Sequence, residues 1–421
     1  MVPRVLISLA VSAMLHAVAV RAADGSDADA LALTSAPVES TQGATRFFIE
    51  GALGRADQRY QPGWRNIGRV SLDLSGSFRL APEWRAVISD RLDALHPSDP
   101  GADATVNSLR EAYVSWQQGS GATLVDLGRV NLRYGPAYGY NPTDFFRDNT
   151  LRTMTTVNPL ALRENRLGTF VLRGQQLWGD TGVSLAYAPK LASRASAEGA
   201  SIDAGATNNR SRALVTLSTR LTERISSQFL VYDESGLGPQ MGASTTALLT
   251  DAIVAFAEGS RGREPDLLTR ALKASEPQHA RNRFVGGVTV TPFPRLSLTG
   301  EYQYNGFALD KAGWAAASVG GPAALGAYLL EAQRLQELAS RQAWFAYATL
   351  KDAGTKNLDL TALLRVDANN HSRLGWLELR YHWARTDVAL QLQQQSGRQL
   401  SEYGLAPYRR SVQLIASHHL D

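Results

Sequence analysis

Charged side chains in this sequence recur at alternate positions within segments that are otherwise apolar. Across residues 69–80, Arg69, Asp73 and Arg79 share one set of alternate positions, and the interleaved set is apolar. Guanidinium and carboxylate groups that face a common space can select solutes by charge, or they can pair and stiffen a wall. Both alternatives stay open. The candidates are Arg69, Asp73, Arg79, Arg85, Arg91, Asp93, Arg210, Arg212, Arg220, Glu301, Arg365, Asp367, Glu378 and Arg380.

A second group of candidates lies in the stretch 129–166, which mixes aromatic residues with arginine, aspartate, glycine and proline. Aromatic faces stack on sugar rings or solute carbons, and Arg and Asp set the polarity of a passage. The alternative is an ordered loop packed on a wall through Phe145 and Phe146. The candidates are Arg133, Tyr134, Tyr138, Asn141, Asp144, Arg147, Asp148, Arg163, Glu164 and Arg166.

The sequence predicts no catalytic, metal or cofactor site. Cysteine is absent, and the sequence contains neither a glycine-rich phosphate loop nor a zinc motif. Of the histidines, only His382 is predicted well inside a strand, and no serine motif accompanies it. The net charge falls from +4 to +2 once Arg4 and Arg21 are removed, which is too small to indicate nucleic-acid binding.

Strands must position these side chains, because successive residues of a strand point to opposite faces. The same alternation of apolar and polar residues returns in segments of about ten residues across most of the chain. The segments are 47–53, 84–95, 183–187, 213–221, 225–231, 295–305, 358–367, 377–383 and 388–393.

The connections between these segments alternate between short and long. Seven short turns and long stretches such as 55–66, 131–166 and 235–280 predict an all-β transmembrane barrel, antiparallel and up-and-down, with short periplasmic turns and long extracellular loops. We expect 16 to 18 strands, because residues 244–258 fit either a strand pair or a helical loop. Residues 325–340 fit a loop helix. Interfacial aromatic girdles are expected at Trp84, Trp116, Trp178, Tyr302, Tyr304, Tyr381 and Trp383.

The N-terminus has the order of an export signal, with Arg4, an apolar run and a small-residue end at Ala22. We therefore predict a signal peptide at 1–22, a flexible leader at 23–44 and the barrel at 45–421. A membrane anchor is the alternative for the first segment. A secreted sandwich or propeller is the alternative for the rest, although strands near ten residues favour the barrel.

A barrel of 16 or more strands leaves an aqueous lumen, so the charged positions become pore-lining candidates and 129–166 a constriction loop. The sequence therefore predicts an outer-membrane, porin-like channel for passive diffusion of small polar or charged solutes. Because arginine outnumbers acid among the candidates, a weak anion preference is expected. The alternatives are a conduit for polysaccharide export and a membrane-barrel hydrolase.

Through several motifs, the sequence resembles a family of porin-like outer-membrane barrels of Gram-negative bacteria. That family is distantly similar to alginate-export-type barrels. The motifs are Gly128-Arg129, residues 141–144 (NPTD), Asn158-Pro159 and residues 163–168 (RENRLG). The resemblance implies a monomer that passes solute and contacts outer-membrane lipid and the barrel-assembly machinery. Such barrels usually end on an aromatic residue, whereas this sequence ends on Asp421. We therefore expect either that its last strand is recognised differently or that its assembly is less efficient.

Overall fold

A computed structural model describes residues 45–96, 103–275 and 278–420. The predicted signal peptide and leader lie outside the described residues. The strands are β1 (Arg46–Gln58), β2 (Trp64–Ala81), β3 (Trp84–His96), β4 (Thr105–Gln117), β5 (Thr123–Val130), β6 (Thr169–Trp178), β7 (Thr181–Ala188), β8 (Arg212–Thr222), β9 (Ile225–Glu234), β10 (Gln240–Thr250), β11 (Ile253–Glu264), β12 (His279–Phe293), β13 (Leu296–Asn305), β14 (Gln342–Leu350), β15 (Leu358–Asp367), β16 (Arg373–His382), β17 (Thr386–Ser396) and β18 (Tyr408–His419).

The sheet closes on itself. Each strand pairs antiparallel with its sequence neighbours, and β1 pairs with β18 from Phe48 opposite His419 to Gln58 opposite Tyr408. Closure leaves no strand edge with unpaired backbone groups, which is the condition for a sheet to stand in hydrocarbon. The predicted all-β, up-and-down barrel is confirmed, and the count is 18 strands.

The apolar set of the alternating pattern faces outward. Leu53, Val70 and Leu127 are 74%, 55% and 64% exposed, whereas Ser71 and Asp73 on the opposite face are buried. A soluble sheet would bury its leucines and expose its aspartates. The reversed arrangement produces an apolar outer surface around a polar interior, as a transmembrane barrel requires.

Residues 244–258 form most of β10 and β11, so the helical-loop alternative is wrong. Small and polar residues on both faces, such as Ser244, Thr245 and Thr246, weaken the alternation there. The long connections predicted at 55–66 and 235–280 are also wrong. β1 and β2 continue through segments rich in polar residues, such as Arg55, Asp57 and Asn66, and only residues 59–63 connect them.

Eight short connections lie at one end of the barrel, and the longer loops lie at the other. All seven predicted turns are among the eight; the missed one joins β10 to β11. The loops contain five helices, and the predicted loop helix at 325–340 corresponds to the last of them. They are α1 (Pro159–Glu164), α2 (Ala204–Thr207), α3 (Leu267–Ala271), α4 (Lys311–Val319) and α5 (Gly321–Arg334). Among the described residues, no helix has the length and apolar character needed to cross a membrane.

Aromatic residues mark both ends of the apolar band. Trp84 begins β3 and Trp178 ends β6, both at the end with the short turns, and both are about half exposed. Toward the loop end, the rings of Tyr302 and Trp344 lie 5.1 Å apart. Two girdles at the level of the lipid headgroups follow from this placement.

Replacing Leu72 by Arg should lower the free energy of unfolding by roughly 2–4 kcal/mol, because Leu72 lies outward near the middle of β2. Tyr60→Arg is the control, since Tyr60 is also exposed, at 60% against 41% for Leu72, but lies in the connection between β1 and β2. Guanidinium unfolding in lipid vesicles measures both. Equal stability of the two variants would contradict a lipid-facing position for Leu72.

Candidate functional site

The 131–168 loop, between β5 and β6, folds into the barrel. Its backbone and side chains contact inward-facing residues of β8, β11, β13 and β15. Of these strands, β11, β13 and β15 lie six to eight places from β5 in the closed sheet, on its far side. The wall residues that make these contacts point to the barrel interior, so the loop cannot lie outside the barrel.

Two wall carboxylates hold the loop backbone. Glu258 of β11 accepts hydrogen bonds from the Ala137 amide at 3.1 Å and from the Asn141 side chain at 2.9 Å. Glu301 of β13 accepts the amides of Tyr138 and Gly139, at 2.5 and 3.1 Å. Each charged hydrogen bond contributes roughly 1.5–3 kcal/mol. The two carboxylates therefore fix residues 137–141 against the wall.

The fit of the loop backbone to Glu258 requires a glycine. Gly135 has φ +86°, and a Cβ added there would lie 2.1 Å from Glu258 Oε2. A side chain at this position would meet both an unfavourable backbone conformation and a wall carboxylate. The residue type at 135 thus follows from how closely the backbone approaches Glu258.

Arginines of the loop and the wall complete the attachment. Arg163 donates to the carbonyls of Tyr134 and Gly135, at 3.0 and 3.3 Å, and wall residue Arg365 donates to the carbonyl of Gly139. Within the loop, Arg166 Nη1 lies 2.8 Å from Asp144 Oδ2. These guanidinium groups satisfy loop carbonyls that no strand partner satisfies.

A second ion cluster joins the loop to the segment that follows α5. Glu337 lies between the guanidinium groups of Arg147 and Arg283, and the latter distance is 2.9 Å. Burial alone would raise the pKa of Glu337, but these two cations hold that pKa below its usual range. Nearby, Arg212 of β8 pairs with Asp148 at 2.9 Å. Removing one partner of such a buried pair costs about 3–5 kcal/mol.

The inward charges of β1 to β4 neutralise one another. Glu50 accepts Arg69 at 2.7 Å and Arg91 at 2.8 Å, and Asp73 accepts Arg110 at 2.6 Å. With Asp93, which also binds Arg91, the cluster holds three guanidinium groups and three carboxylates. For Arg69, Asp73, Arg91 and Asp93, the geometry therefore fits charges that pair and stiffen the wall.

A cavity of about 1400 Å³ remains between the 131–168 loop, α5, the 397–407 loop and the inner wall of β1, β2, β17 and β18. Its wall side is mixed, with Gln393 and Gln413 beside apolar residues such as Ala52 and Ile67. It reaches from the loop end to Ala52, at the middle of β1, and to Arg69, about a third of the way along β2. The sequence candidates that line it are Arg69, Tyr138, Asn141, Asp144, Arg147, Arg163, Arg166 and Arg365.

The remaining candidates do not line this cavity. Arg133 and Glu164 are exposed loop residues, and Tyr134 and Asp148 belong to the attachment of the loop. Arg210 was expected on a strand but lies before β8, paired with Glu234, because the alternation starts only at Arg212. The other strand candidates face the interior away from the cavity: Asp73, Arg79, Arg85, Arg91, Asp93, Arg212, Arg220, Glu301, Asp367, Glu378 and Arg380.

His382 is the last residue of β16, so its predicted place well inside a strand is wrong. Its Nδ1 lies 2.9 Å from Asp387 Oδ1 and its Nε2 lies 3.3 Å from Asp359 Oδ2. Both ring nitrogens therefore face carboxylates rather than a nucleophile. In the described part of the chain, no group of three or more His, Cys, Asp or Glu residues is arranged to hold a metal ion.

Sequence reasoning missed Glu258, Glu337 and Glu402, which build or line the site. The order Phe256, Glu258, Ser260 alternates with smaller residues, and this signal could have placed Glu258 on an inward face. Glu337 and Glu402 lie in loops, where no period constrains the direction of a side chain.

Arg129 of the Gly128-Arg129 motif completes the barrel wall. Above the end of β5, the segment 198–203 fills the gap beside β4, and the Asn107 amide donates to the Gly199 carbonyl at 2.8 Å. Arg129 donates to the carbonyls of Ile202 and Asp203 and is fully buried. The motif is therefore explained by wall closure, not by solute contact.

The described chain is similar to solved outer-membrane barrels. OccAB1 of Acinetobacter baumannii has a TM-score of 0.56 at 9% identity, over 91% of this chain and 98% of that one. A BenF-like porin from Pseudomonas fluorescens Pf-5 has 0.55 at 10% identity, over 89% and 98%. The chain has the porin fold. OccK10 (OpdN) of Pseudomonas aeruginosa has 0.53 at 10% identity, over 90% and 99%.

The sequence comparisons add nothing to this likeness: no family model matches the chain, and the search of curated proteins found no match. At 8–10% identity the structural likeness establishes the fold and no more. The porin-like part of the predicted resemblance is confirmed. The alginate-export-type part stays a prediction.

Replacing Glu258 and Glu301 together by Ala should release residues 137–143 from the wall, because the amides of Ala137, Tyr138, Gly139 and Thr143 lose their acceptors. Amide hydrogen exchange of this segment should accelerate by on the order of tenfold or more. Glu223→Ala, at an exposed turn, is the control. Unchanged exchange in the double variant would show that these carboxylates do not hold the loop.

Proposed function

We propose that this protein is an outer-membrane channel through which small solutes diffuse passively. The observation that carries the proposal is a cavity of about 1400 Å³ inside a closed 18-stranded barrel with an apolar outer surface. Barrels of this size leave an aqueous passage. The likeness to a BenF-like porin supports the proposal.

The 131–168 loop is the proposed constriction. It occupies the lumen, contributes Tyr138, Asn141 and Arg163 to the cavity, and is attached at several points to the wall. A loop attached in this way narrows the passage without blocking it. The lumen that remains lies along β1, β2, β17 and β18.

A weak anion preference is part of the proposal. Arg163 and Arg365 line the cavity, and neither forms an ion pair with the described residues. By contrast, Arg69, Arg147 and Arg166 each pair with a carboxylate. Two cations that form no salt bridge, in a low-dielectric surrounding, attract anions.

The alternatives have less support. A polymer conduit for an acidic polysaccharide would need a ring of free cations, whereas most arginines here are neutralised. A hydrolase would need a base beside a nucleophile, but both nitrogens of His382 face carboxylates. We therefore propose a non-enzymatic channel that acts as a monomer, contacts lipid and is inserted by the barrel-assembly machinery.

Single-channel recording in planar bilayers tests the channel. Folded protein should give discrete conductance steps in KCl, and a salt gradient should give a reversal potential on the anion-selective side. Arg163→Gln with Arg365→Gln should lower the chloride-to-potassium permeability ratio by on the order of twofold.

Arg261→Gln with Arg263→Gln is the matched control, because it removes two charges from exposed residues that do not line the cavity. Absence of conductance from well-folded protein would refute the channel. An equal change in selectivity for the control and for the double variant would refute the role of Arg163 and Arg365.

The charge of the cavity should also depend on pH. Glu402, in the 397–407 loop, lines the cavity. Burial, reinforced by the Asp367 carboxylate, raises the pKa of Glu402 to about 7, although Arg365 opposes the shift. The carboxyl is therefore neutral below this pH and negative above it.

The anion preference should fall as pH rises through about 7, because the cavity gains a negative charge. The reversal potential in a KCl gradient, recorded about one pH unit on either side, measures the change. Glu402→Gln should abolish the dependence and keep the low-pH selectivity. A pH dependence that persists in this variant would assign the titration to another group.

A further inference from the structure

An uncharged stretch of 19 residues covers the loop end of the barrel. From Ala312 to Leu330 the sequence contains no Asp, Glu, Lys or Arg, and it forms most of α4 and α5. Some of its apolar side chains are exposed, with Val319 at 90% and Leu330 at 68%. A packed cap explains its buried residues, such as Trp314 and Tyr328, but not its exposed ones.

One face of this stretch lines the cavity. Pro322, Ala323, Gly326, Leu329 and Leu330 of α5 all contribute to its lining. Gly326 has open space where a Cβ would stand, so the backbone of α5 leaves room there.

The 131–168 loop adds a second apolar contribution to the same cavity, from Leu151, Met154, Val157 and Leu162. We call these four residues, together with the five lining residues of α5, the apolar vestibule. Met154 is 46% exposed, so its side chain is not packed against a core, whereas Val157 packs partly against the cluster that contains Tyr138 and Tyr403.

The lining on the barrel side is mixed, with polar side chains beside apolar residues such as Ala52 and Ile67. Gln393, Gln395 and Gln413 supply amides there, and Arg365 supplies a guanidinium group. Arg163, near the end of α1 in the 131–168 loop, supplies a second guanidinium group, and neither arginine forms an ion pair with the described residues. The cavity therefore joins the apolar vestibule to a region that contains two cations and three amides. A small polar solute would use the second region and leave the first without a role.

We infer that the vestibule binds the hydrocarbon part of an amphipathic organic anion whose charged head lies toward Arg163 and Arg365. The inference rests on the proposed function and narrows its solute class. Charge complementarity selects an anionic head, and the nine uncharged lining residues select a hydrocarbon body. A cavity of about 1400 Å³ accommodates both parts at once.

The test uses linear alkanesulfonates of increasing chain length, because their head stays charged at all working pH values. Added to the loop side of single channels in KCl, they should interrupt the current. The half-blocking concentration should fall about threefold to fourfold per added methylene, as for hydrocarbon leaving water. A neutral alcohol of equal chain length should block much more weakly.

Leu330→Gln and Met154→Gln should flatten the dependence on chain length, since each places an amide in the vestibule without adding charge. Val319→Gln is the matched control, because Val319 belongs to the same uncharged stretch but does not line the cavity. All three positions are exposed, so the variants should fold.

A block that does not depend on chain length would overturn the inference, and so would an equal loss in the Val319 control. In either case a normal KCl conductance would leave the proposed channel intact. If conductance is absent, the channel proposal fails on its own. Calorimetric titration with the same sulfonates then tests the vestibule, with protein in nanodiscs compared with empty nanodiscs. Binding that tightens with chain length supports the vestibule, and the absence of such a trend refutes it.

Discussion

The structure depends on one constraint: in hydrocarbon, no backbone donor or acceptor can turn to water. The pairing of β1 with β18 meets it by removing the last edge of the sheet. Above the short strand β5, the 198–203 segment and Arg129 supply partners for the wall. Closure at 18 strands also produces a lumen too wide for strand side chains to fill.

The 131–168 loop occupies part of that lumen, and its attachment uses charge rather than apolar contact alone. Glu258 and Glu301 accept loop amides, while Arg163 and Arg365 donate to loop carbonyls. A loop has no strand partner for its backbone, so wall carboxylates and guanidinium groups replace the ladder. Most inward charges are consequently engaged in structure, and only a few remain to act on a solute.

The cavity has two characters because two kinds of element build it. The wall contributes amides and guanidinium groups through the inward set of each strand, as at Gln393 and Arg365. The loops follow no alternation and contribute the uncharged face of α5. Under the proposed function, Arg163 and Arg365 would set the sign of charge, and α5 with residues 151–162 would set how much hydrocarbon is tolerated.

Alternation by itself determined the barrel, its seven recognised turns and which face of a strand such as β2 meets lipid, because a period of two is local. It failed at β10 and β11, where small residues on both faces erase the contrast. Tertiary structure alone decided three features: which arginines pair with carboxylates, the attachment of the loop by Glu258, and the place where a cavity remains. These features join residues more than a hundred positions apart, such as Ala137 and Glu258, and no local pattern records such contacts.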